Sequence, residues 1–134
     1  MNGESELPEE IAREVDEYID SLECLEVLLL MYRDAGRVWS VEQVANELHI
    51  KSDTAARHLD RMASLGLLEA ENPTGDYRFH PADDARGSGA RIIVDAYATR
   101  RIALINHVAS RALSRIRSLA DAFRVWKGKR KGKD

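Results

Sequence analysis

Two helical patterns separated by only three residues constrain this chain more than any other feature of it. Ser40 is an N-cap residue, Gln43 completes a capping-box spacing, and Val44, Ala45 and Leu48 form one apolar face, so a short helix is predicted that ends near His49. Ser52 offers a second N-cap, Ala55, Ala56, Leu59 and Met62 recur at helical spacing, and Gly66 suits the left-handed position that ends a helix. That gap is helix-turn-helix spacing. Leu67 to Glu71 and Tyr77 to His80 then alternate around Asn72-Pro73-Thr74-Gly75-Asp76, which predicts a β-hairpin.

The succession resembles the winged helix-turn-helix domain of bacterial transcription regulators of the MarR and ArsR type. The resemblance rests on Val44-Ala45, Leu48 and Ile50 leading into Ser52 and Thr54, then Arg57-His58-Leu59 and Arg61, then Leu65-Gly66-Leu67-Leu68-Glu69, and it covers about half the chain. It implies a recognition helix over 53–65 that enters the major groove of DNA, and a wing over 68–80 that touches the backbone. The expected fold class is mainly α with a small β-hairpin: a winged helix-turn-helix with a long C-terminal dimerisation helix.

Upstream, residues 1–8 are polar and expected to be disordered, and the winged-helix domain is placed at 9–86. Ile11, Val15, Tyr18, Ile19, Leu22, Leu25, Leu28 and Leu29 hold a 3- or 4-residue spacing, which predicts a single helix from Glu9 to near Gly36 with acids on its other face. Val38-Trp39 can form a short first strand, with Trp39 as a core anchor. Residues 82–89, which contain Gly87-Ser88-Gly89, read as a flexible hinge.

Downstream, 87–126 is taken as the long C-terminal helix, its helical pattern running unbroken from Ala90 to Trp126 without Pro or Gly. Ile102, Ile105, Ala109, Ala112, Ile116, Leu119 and Phe123 alternate three- and four-residue steps, a heptad seam that makes these seven residues the candidate dimer interface. Leu104, Val108 and Leu113 widen the stripe, so the helix is expected to pack in a bundle; folding back on its own domain is the alternative. Residues 127–134 form a basic tail expected to be disordered.

Charge is unevenly spread. Residues 1–26 carry ten acidic side chains against Arg13, whereas residues 100–134 carry eleven Lys or Arg against Asp121 and Asp134. The acidic first helix is then either a solvated surface or a partner for the basic C-terminal helix. Residues 27–86 hold seven basic and ten acidic side chains, a net acidic balance that weakens phosphate attraction.

Catalysis finds no candidate residues, for the chain has no nucleophile elbow, phosphate loop or dinucleotide fingerprint. No metal or cofactor is expected, because Cys24 is the single cysteine and His49, His58, His80 and His107 fall in separate elements. No stretch has the length to cross a bilayer, and the lone cysteine fits a cytoplasmic protein.

The candidate DNA-binding residues are Lys51, Ser52, Thr54, Arg57, His58, Arg61 and Arg78. Arg57 and Arg61 have the guanidinium fork that can grip a guanine edge, Ser52 and Thr54 suit phosphate, and Arg78 lies on the wing. The expected partners are a second copy of the chain and a pseudo-palindromic site on double-stranded DNA. The alternative is a winged-helix protein-protein interaction module that does not touch DNA.

Overall fold

The computed structural model of the chain describes residues 6–132 except Asn72 and Thr74, with side chains as far as Asp121 apart from that of Leu119. Six helices and two strands follow in the order α1 (Glu9–Tyr18), α2 (Leu22–Arg33), α3 (Val41–Leu48), α4 (Ser52–Ser64), β1 (Leu68–Glu71), β2 (Asp76–Phe79), α5 (Asp84–Thr99) and α6 (Arg101–Gly132). The chain is mainly helical with a small antiparallel hairpin, and among the described residues no helix is long and apolar enough to cross a membrane.

The middle of the chain follows its local signals. Ser40 accepts from the Gln43 backbone N–H at 3.1 Å while the Gln43 side chain accepts from the Ser40 N–H at 3.0 Å, a complete capping box. His49 ends α3 at a left-handed φ of 58°, and Gly66 takes φ 85° just after α4. Ser52 is helical rather than a cap. Lys51 stands at the N-cap position of α4 with no side-chain cap. β1 and β2 pair Leu68 with Phe79 and Glu71 with Asp76, and Trp39 adds a single bridge on the far side of β2, exchanging both backbone bonds with Tyr77 at 2.7 and 2.8 Å. Trp39 is buried, as an indole that anchors a core must be.

The flanking helices depart from their sequence patterns. The first predicted helix is two, α1 and α2, because Ile19 turns extended and the Ser21 side chain caps α2 by accepting from the Cys24 N–H at 3.1 Å. The break lets Val15, Tyr18 and Ile19 enter the same core as Cys24, Leu25, Val27, Leu28 and Met31. Residues 82–89 are not a hinge: the Asp83 side chain accepts from the Arg86 N–H at 2.9 Å and starts α5, in which Gly87, Ser88 and Gly89 are helical. Gly89 lies close to α1: a Cβ there would stand 2.6 Å from the mobile end of Glu14 and 3.0 Å from Tyr18 Cε2. The long C-terminal helix is also divided, at Arg100, into α5 and α6.

One core takes residues from all six helices, from Val15 through Ile93 to Leu104 and Val108, so the first turns of α6 fold back on the chain itself. Leu7 packs against that core, within the segment expected to be disordered; residues 1–5 lie outside the described residues. The backbone of α6 is helical to Gly132, well into the stretch read as a disordered tail, and residues 133–134 lie outside the described residues.

Charge fastens α6 in place. His107 Nε2 lies 2.7 Å and Arg111 Nε 3.3 Å from Asp16 Oδ1, and Arg115 donates to the Asp20 carbonyl at 3.1 Å. The acidic face of α1 therefore meets the basic helix of its own chain. Each pair is partly exposed, so its contribution is about 0–1 kcal/mol and it sets orientation more than stability.

The hairpin is tied to α4 by the Tyr77 hydroxyl, which donates to Asp60. Burial and then this bond push the Tyr77 pKa from 10.0 up to about 12. A raised pKa in the folded state stabilises below pH 10 and is lost as pH climbs through 12. Chemical denaturation at stepped pH is expected to show stability falling across that window, with a shallower fall in Tyr77→Phe than in the wild type.

Candidate nucleic-acid interface

Helix α4 turns Ala55, His58, Leu59 and Met62 into the core. Their spacing leaves Asp53, Arg57, Asp60 and Ser64 exposed, with Thr54 half-buried at the edge. Lys51, Ser52 and Asp53 stand exposed at the helix start, where the first backbone N–H groups have no side-chain cap. Such an end attracts anions, through the N–H groups and the helix dipole together. Among the described residues no ion pair or hydrogen bond engages the side chain of Lys51 or Arg57. Lys51, Ser52, Thr54 and Arg57 thus lie together on one end of α4.

Three of the seven candidate residues are engaged elsewhere. His58 is only 2% exposed and points inward, toward the joint between α1 and α2, so it does not belong to an outer face. Arg61 points the same way: its Nη1 donates to the Tyr18 carbonyl at 2.7 Å, and its Nε lies 3.6 Å from Asp20 Oδ2. It closes the C-terminal end of α1 from 43 residues away. Arg57 and Arg61 are one helical turn apart in sequence, but only Arg57 is left for a ligand.

Arg78 is held by its own hairpin. Its guanidinium bonds Glu69 at 2.5 and 2.9 Å, across the ladder position where the two residues face each other, and lies 3.4 Å from Glu71. The Arg78 hydrogen bond and then its charge hold Glu69 below the usual carboxylate range, and the same bond raises Arg78. A basic side chain so paired offers phosphate little net charge. Asn72 and Thr74, at the hairpin tip, lie outside the described residues.

The candidate dimer residues divide more simply. Ile102 is 74% and Ile116 62% exposed, Ala109 is exposed, and Ile105 and Ala112 are half-buried; the side chains of Leu119 and Phe123 lie outside the described residues. Leu113 is 50% exposed beside them. Ala103, Leu104 and Val108 occupy the opposite side of α6 and are buried. Among the described residues the seam from Ile102 to Ile116 is therefore a largely uncovered apolar stripe on a helix whose other face is already used, an arrangement typical of an interface.

Comparison of the chain with protein-family models, with characterised proteins and with solved structures finds no match. What the surface can do rests on its geometry: an uncapped helix start with Lys51 and Arg57 and, on α6, an apolar stripe.

Because Arg61 satisfies a carbonyl at a helix end, Arg61→Ala is expected to cost about 1–3 kcal/mol of folding stability, read by urea denaturation. Arg57→Ala, at an unpaired exposed position, is expected to change stability by less than about 0.5 kcal/mol in the same measurement.

Proposed function

We propose that the chain is a DNA-binding transcription regulator of the winged-helix kind, acting in the cytoplasm as a homodimer. Helices α3 and α4 are its helix-turn-helix, α4 its recognition helix, and β1–β2 with the Trp39 bridge its wing. The observation that carries the reading is the start of α4, where Lys51, Ser52, Thr54 and Arg57 surround free helix-end N–H groups. That is the part of a recognition helix that meets base edges and phosphates. Arg57 is the candidate for a guanine edge, and Lys51, Ser52 and Thr54 position the backbone.

Pairing through the Ile102, Ile105, Ala109, Ala112 and Ile116 stripe would relate two recognition helices by a two-fold axis. A pseudo-palindromic site with half-sites about 34 Å apart, or a multiple of that, is the matching duplex. A second reading, a winged-helix module that holds a protein partner, is favoured by the pairing of Arg61 with Asp20 and of Arg78 with Glu69 and Glu71. Those pairs remove two of the cations on which DNA affinity would draw.

Fluorescence anisotropy with mixed-sequence duplex DNA at low and moderate salt separates the two. Binding at low salt that falls about fivefold or more in Arg57→Ala supports DNA recognition. No binding at low salt, or indifference to Arg57→Ala, leaves the protein-interaction reading.

Light scattering tests the dimer. The wild type is expected at twice the chain mass and Ile102→Asp/Ile116→Asp at the single mass. Both positions lie outside the core, so the double variant keeps its fold; a monomeric wild type refutes the pairing.

A further inference from the structure

The joint between α1, α2 and α4 gathers three metal-binding side chains, two of them four positions apart and the third 34 residues further on. Asp20 lies in the non-helical link, Cys24 in the first turn of α2, and His58 midway along α4; one donor atom from each falls within 4.8 Å of the others. Cys24 is fully buried and His58 98% so, from its 2% exposure. Neither ring nitrogen of His58 has a hydrogen-bond partner, and Asp20 Oδ1 is likewise buried and unpartnered. Glu23 Oε1 stands 3.5 Å from His58 Nε2, within ion-pair range but outside hydrogen-bonding geometry. A buried imidazole with both nitrogens unsatisfied costs free energy unless something fills its coordination.

We propose that Asp20, Cys24 and His58 form a binding site for a divalent transition-metal ion, with zinc the best match to a sulfur, nitrogen and oxygen donor set. Zinc bonds of about 2.0–2.3 Å place tetrahedral donors roughly 3.3–3.8 Å apart, so the cluster closes by about an ångström on loading. Asp20, outside any helix, is the ligand able to make that movement. The charges balance. A Cys24 thiolate and the Asp20 carboxylate neutralise the ion, the Cys24 proton passing to solvent, while Arg61 and Glu23 at the rim offset one another. Arg61 borders the site: its Nε faces Asp20 Oδ2 and leaves Oδ1 for the metal, and its Nη1 donates to Cys24 Sγ at 3.6 Å, a contact that a ligating thiolate can keep through another lone pair. The carboxylate of Glu23 is positioned to orient the imidazole, as acceptors behind a ligating histidine do. This site is independent of the DNA-binding reading. Its consequence for the fold is a metal clamp between the α1–α2 link and α4.

Cobalt(II) titration of the intact protein at neutral pH tests the site, with no DNA present. One equivalent is expected to bind with a thiolate-to-cobalt charge-transfer band and the visible bands of a tetrahedral ion, and zinc is expected to displace it. Cys24 is the single cysteine, so such a band has one source. Cys24→Ser should abolish the band, and His58→Gln and Asp20→Asn should each lower affinity tenfold or more. Absence of the band in the wild type overturns the proposal. So does wild-type affinity in Asp20→Asn, which would mark an ion held without Asp20; Asp20 is only half-buried, and this variant keeps the result readable even if His58→Gln fails to fold.

Discussion

The constraint on which the structure depends is the end of α1 at Tyr18. A helix of the length its apolar pattern suggests would run past the core, and a short one leaves carbonyls that need donors. Arg61 supplies one from α4, reaching the Tyr18 carbonyl, while Ser21 opens the next helix three residues on. Because the link bends there, α1 lies against α5 and α6, and α2 lies against the helix-turn-helix. The first helix thus joins the two ends of the chain.

That arrangement decides which side chains are left for a partner. Arg61 and His58 are spent on the joint, so the exposed chemistry of α4 contracts to its first two turns, around Lys51 and Arg57. Glu69 and Glu71 similarly take up Arg78 on the hairpin. The acidic surplus counted along residues 27–86 is therefore not spread evenly over the surface. Part of it lies against arginines, which lowers the repulsion toward phosphate and also lowers the attraction.

Helix α6 has one face in the core and another left open. Its first turns complete the core with Ala103, Leu104 and Val108, and His107 and Arg111 lock onto Asp16. The opposite stripe, Ile102 to Ile116, stays apolar and uncovered. A face in the core and an open apolar face are compatible because a helix has separate faces, and the widened stripe already carried residues for both.

Local chemistry was legible where neighbours in sequence are neighbours in space. The Ser40–Gln43 capping box, the left-handed Gly66, the hairpin around Gly75 and the buried Trp39 all follow from contacts within a few residues or from side-chain area alone. Ser21 carried a visible capping signal for the break in the first helix, overridden by an apolar period that continues across it. The helix at Gly87-Ser88-Gly89 had little local support, since glycine disfavours helix by about 1 kcal/mol per residue; the Asp83 cap and the burial of Ala90, Ile93 and Ala96 in the core stand against that cost. Whether Arg61 remains free, and whether His58 meets Asp20 and Cys24, depended on contacts between residues 34 or more positions apart. Helical periodicity assigns a side chain to a face; only the packed neighbours decide whether that face meets water, a carboxylate or a carbonyl.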